Sequence, residues 1–119
     1  MPNNQITLDE AAKMTSLYQN EKENILAPAY KGKNILCTSE TFDRSAFDAL
    51  LAEDDCVAVR IYYGMSDILQ VHAIAVGVNS KNEDILPAAG RSVTSTDPVI
   101  IEDGIRCPDE CPTPSALNP

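Results

Sequence analysis

Residues 56–78 read CVAVRIYYGMSDILQVHAIAVGV. Two apolar, β-branched runs flank Gly64-Met65-Ser66-Asp67, a short break of turn-forming residues, and this pattern predicts a β-hairpin. Register follows from face coherence, because a one-residue slip would move every side chain to the opposite face. Pairing Tyr63 with Leu69 sets Ile61 against Val71, Val59 against Ala73 and Val57 against Ala75. That face is uniformly apolar and suited to receive a helix. The other face sets Tyr62 against Gln70, Arg60 against His72, Ala58 against Ile74 and Cys56 against Val76. It is polar at its turn end, which makes Arg60, Tyr62, Gln70 and His72 the candidate ligand or partner site.

Outward from the hairpin, the preceding chain carries two helical patterns. Thr7-Leu8-Asp9-Glu10 fits a capping box, and the apolar spacing after it predicts a helix from Leu8 to Glu23. Pro28 and Gly32 mark a connection, and residues 34–38 form a short strand candidate. A second helix is expected from Thr41 to Ala52, with Asp43 as N-cap and Phe42 stapled to Phe47. Glu53-Asp54-Asp55 lacks the spacing and glycine of a calcium loop and reads as a solvated turn.

Beyond the hairpin, residues 79–91 are polar and turn-rich, with Ile85-Leu86 able to pack back on the core. Residues 92–97 are expected to be mobile. Val99-Ile100-Ile101 is a short strand candidate and Asp103-Gly104 a turn. Four prolines in RCPDECPTPSALNP leave little capacity for regular structure. From Asp97 onward five acids (Asp97, Glu102, Asp103, Asp109, Glu110) face one base, Arg106.

The expected fold class is α+β: two helices packed on one face of a mainly antiparallel sheet of three to five strands, centred on the hairpin at about 56–78. A single α+β domain is expected over 1–104, followed by a Pro/Cys-containing tail over 105–119. With 119 residues, 44% hydrophobic and 23% charged, the chain has the size and composition of one globular domain.

A net charge of −9 opposes binding to nucleic acid or anionic lipid, both of which need a basic surface. No apolar run reaches membrane-spanning length and the opening MPNNQITLDE has no secretory pattern, so a cytoplasmic location is expected. Glycine-rich phosphate loops are absent and His72 is the only histidine, so no catalytic constellation and no cofactor site is read.

Cys107 and Cys111, four residues apart, could close a disulfide, share a metal or remain free thiols. Zinc would need further ligands from Cys37, Cys56 or His72, which are scattered.

ITLDEAAKMTSLYQ, FDALLAEDDCVAVRIYYGM, VHAIAVGVNSKNEDIL and RCPDECPTPSALN together resemble a group of small, acidic, uncharacterised bacterial proteins. The resemblance implies that hairpin and cysteine-bearing tail belong to one unit, and it carries no functional residues over. The leading expectation is a small non-enzymatic binding or regulatory protein acting through a protein partner, with a homodimer as one form. The alternatives are a ligand-binding or hydrolytic domain using Arg60, Tyr62 and His72, and a redox- or metal-responsive tail using Cys107 and Cys111.

Overall fold

A computed structural model describes residues 4–87 and 97–119. The stretch expected to be mobile, 92–97, lies outside the described residues except for Asp97. The fold is α+β, with two helices and a mainly antiparallel set of strands arranged as one two-stranded and one four-stranded sheet.

The chain divides into two compact units. One joins the described residues through Glu40 to Ile105–Pro119, and the other is Thr41–Gly104. The division therefore runs differently from the expected domain over 1–104 with a separate tail. The cause is visible in the first unit, where the cysteine-bearing segment is tied into the early chain.

In that first unit, α1 spans Leu8–Glu21, two residues shorter than expected. Its start is as anticipated: the Glu10 N–H donates to Thr7 Oγ1 at 3.1 Å, satisfying one of the otherwise orphaned amides. Pro28–Tyr30 forms a single 3-10 turn. The strand expected at 34–38 is instead β1, Ser39–Thr41. Asn34 takes a left-handed conformation with φ 55°, which interrupts an extended run.

Strand β1 pairs with Ile105–Cys107, the strand called β6 here because it is sixth in the chain. Prolines had argued against regular structure there, but these three residues sit between the Asp103-Gly104 turn and the first proline. The Thr38 N–H donates to the Cys107 carbonyl at 2.8 Å. Arg106, expected as a lone base on an acidic tail, is buried, and its Nη2 donates to the carbonyls of Asn34 at 2.9 Å and Ile35 at 3.3 Å. Gln19 donates to the Leu117 carbonyl at 3.0 Å and Tyr18 to the Cys37 carbonyl at 2.6 Å.

The second unit contains α2, Arg44–Leu51, and four strands: β2, Ala58–Met65; β3, Val71–Val78; β4, Asp84–Ile85; and β5, Ile100–Ile101. Asp43 is the N-cap residue, although no side-chain bond closes the cap. Phe42 and Phe47 meet edge to face, 5.7 Å between ring centroids, as the staple required.

Strand β3 is central. β2 pairs along one side of it, and β4 and β5 pair with successive parts of the other, all antiparallel. Leu50, Ala75 and Ile101 form the buried core, with Phe47, Cys56 and Val99 packed against them. Gly77 leaves room for Cys56, since a Cβ there would lie 3.1 Å from Cys56 Sγ, while Leu50 Cδ2 of the helix would be at an ordinary 3.6 Å. So α2 packs on the expected face, but over the small residues Ala75 and Gly77 of β3. Eight helical residues span only about 12 Å, and the bulkier row on β2 lies outside that footprint.

Candidate functional site

The hairpin forms, but its register differs from the expected one. Arg60 lies opposite Val76, Tyr62 opposite Ile74, and His72 opposite Gly64. β2 runs on through Gly64-Met65, and Ser66–Gln70 makes the turn. The Leu69 N–H donates to the Ser66 carbonyl and the Ser66 N–H to the Gln70 carbonyl, each at 2.9 Å. Partners have shifted by four residues, an even number, so each side chain keeps its face while changing its neighbour.

This divides the four candidate residues. Arg60 and Tyr62 come together, Gln70 closes the turn against Ser66, and His72 lies four residues from the position opposite Arg60, about 13 Å along the strand. The proposed Arg60–His72 neighbour pair does not exist.

Arg60 and Tyr62 instead converge on Asp84. Arg60 Nη1 donates to Asp84 Oδ1, the Tyr62 hydroxyl donates to Asp84 Oδ2, and Arg60 Nη2 donates to Asn82 Oδ1 at 2.6 Å. Asp84 is opposite Val78 on β4, and Arg60 is opposite Val76 on β2. The ion pair thus crosses β3 on the face carrying these two buried valines.

The Tyr62 hydrogen bond holds the Asp84 carboxyl below its ordinary range, and Arg60 adds to the effect. The same bond, followed by partial desolvation, pushes the Tyr62 phenol up. Both carboxylate oxygens and both guanidinium amino groups are engaged. The cluster is a strap across the sheet, and an incoming anion would have to displace Asp84. Asp84 was missed because its role depends on the β3–β4 pairing, which no local pattern in NSKNEDIL signals.

His72 belongs to a separate cleft of about 350 Å³, lined by Gly64, Met65, Ser66, Ile74, Glu102 and Asp103. His72 Nδ1 lies 3.3 Å from Glu102 Oε1. Ser66 Oγ accepts the Gln70 N–H at 3.2 Å and so takes part in closing the turn. The cleft combines an apolar wall with an imidazole and two carboxylates, a lining that suits a small cationic group better than an anion.

The remaining feature is the apolar row of β2 that α2 leaves uncovered. Val57 is 57% exposed, Val59 37%, Ile61 42%, Tyr63 79% and Met65 60%. Ile68 and Leu69 in the adjoining turn are also exposed. β2 is an edge strand of the four-stranded sheet. The sequence marks this row as apolar and places it on the helix-facing side, but the position of α2 decides that it stays open.

In the first unit, Cys107 and Cys111 are joined as a disulfide. Of the three alternatives for this pair, the structure contains that one. Cys37 and Cys56 are free and partly buried. Burial pushes the Cys37 thiol up, so it lacks the depressed pKa of a reactive cysteine. Among the described residues, no group of three or more His, Cys, Asp or Glu side chains is placed to hold a metal ion, and no helix is long and apolar enough to cross a membrane.

Comparisons with protein-family models, curated proteins and solved structures find no match to this chain.

Proposed function

We propose that this chain is a small binding protein that works through protein–protein contact, with the open row of β2 as its contact surface. One observation carries the reading: Val57 and four side chains of β2 on the same face, Val59, Ile61, Tyr63 and Met65, are 37–79% exposed, because the short helix on that face does not reach them. Together the five leave on the order of 500 Å² accessible, the size of the largest apolar patch of a typical monomer, which is often a functional surface. Edge strands that stay solitary are usually protected by lysines, prolines or bulges. The only charge on β2 is Arg60, and it is turned to the other face and engaged by Asp84. An enzymatic reading has less support, because Arg60 and Tyr62 are committed to the strap and His72 stands apart from them.

A photo-activatable residue at position 63 tests this in cells producing the full chain. Irradiation is expected to give discrete covalent protein adducts, while the same residue at the exposed Asp48 of α2 gives none. Equal labelling at both positions, or no adduct at 63, overturns the reading.

A further inference from the structure

The row on β2 forms the floor of a step. α2 stands on the same sheet face, over β3 and β5, and rises beside the bare strand. A helix is about 10 Å across, and two sheets packed face to face lie about 10 Å apart. The height of the step therefore matches the spacing at which a second sheet would rest on its floor. A surface of this shape is complementary to itself: a two-fold axis lays one floor on the other and sets each helix beside the partner's free edge.

We infer that the occupant of the β2 row is a second copy of this chain, packed face to face about such an axis. This rests on the reading of the row as a contact surface. Three observations favour a like copy over a basic partner. The five exposed side chains Val57, Val59, Ile61, Tyr63 and Met65 carry no charge, so the row has nothing with which to select a cation. The accessible area of the row, on the order of 500 Å² per copy, is the greater part of the about 800 Å² per partner of a standard stable interface, and each helix against the partner's free edge adds to it. On a molecule of net charge −9, this uncharged floor is where two copies can meet without pressing carboxylates together.

The acids lie at the ends of the strand, Glu53-Asp54-Asp55 at one and Asp67 at the other. Any two-fold packing of the rows brings like charges near each other at these ends. Salt screens that repulsion while leaving apolar contact intact, so dimerisation strengthens as ionic strength rises. Binding to a basic partner would weaken instead.

Sedimentation equilibrium of the purified full chain, in low salt and in about 0.5 M salt, tests the inference. The expected mass is twice 12.9 kDa, with a smaller dissociation constant in high salt. Ile61→Lys and Tyr63→Lys, both at exposed positions, are expected to return the mass to 12.9 kDa with the circular dichroism of the parent. In the parent, amide exchange in β2 should slow as protein concentration rises. A mass of 12.9 kDa at every concentration up to about 0.1 mM, or a dimer untouched by both substitutions, overturns the inference. Adducts at position 63 to a different protein, with a monomeric parent, sink the dimer and leave the contact-surface reading standing. No adducts and no dimer sink both.

Discussion

Asp84 shows how much one residue can organise on this sheet. Its two oxygens receive Arg60 and Tyr62 from a strand two places away, and the resulting strap crosses the buried Val76 and Val78. The carboxyl is held below its ordinary value, so its contribution to stability is complete above about pH 4 and is lost as pH falls through the lowered folded value. The Tyr62 phenol is raised, so its contribution is complete below about pH 10 and is lost as pH rises through the raised folded value. Asp84→Asn keeps the shape and removes the charge. The difference in melting temperature between parent and variant should be widest between these limits and narrow on both sides. A difference unchanged from pH 3 to pH 7 would mean that the strap does not couple to folding.

Three strands of the sheet, β2, β3 and β4, are joined in turn by the same loop built twice. In Ser66–Gln70 the first side chain accepts the N–H of the residue four on, at 3.2 Å, and Leu69 is left-handed with φ 66°. In Asn79–Glu83 the Asn79 side chain accepts the Glu83 N–H at 3.0 Å, and Asn82 is left-handed with φ 63°. Asparagine tolerates that conformation and leucine does not, at a cost of about 1 kcal/mol. Leu69→Asn should therefore stabilise the chain by about 1 kcal/mol in denaturant titration; no gain, or a loss, would show that the exposed leucine side chain outweighs its backbone.

These loops also explain what could be read from sequence. Both helices, the staple, the hairpin and its faces follow from periodicity and capping. The register does not, because an even slip leaves face composition unchanged. Only the turn could have corrected it, and a leucine at the left-handed position hides that turn. Of the four residues assigned to the polar face, Arg60 and Tyr62 do meet. They meet at Asp84, through a pairing too short to leave a periodic signal. The open β2 row was visible as an apolar row, while its exposure depends on where an eight-residue helix can reach.

At the scale of the molecule, two stretches distant in sequence build one unit. Among the described residues β1 pairs with β6 alone, and the carbonyls of Asn34 and Ile35 lose the Arg106 guanidinium if the later segment is removed. Deleting 105–119 should abolish amide protection around residues 34–41 while leaving β3, Val71–Val78, protected by its own sheet. Hydrogen-exchange mass spectrometry measures both regions at once. Loss of protection in β3 as well would show that the units do not fold separately.

The pairing of β1 with β6 also imposes a timetable. A ribosome adds about 5–20 residues per second, so the opening residues wait on the order of several seconds for Ile105–Pro119 to be made. The intervening stretch contains every strand of its own sheet and can close first. Through that interval the carbonyls of Asn34 and Ile35 stand ready for a guanidinium that has still to be made.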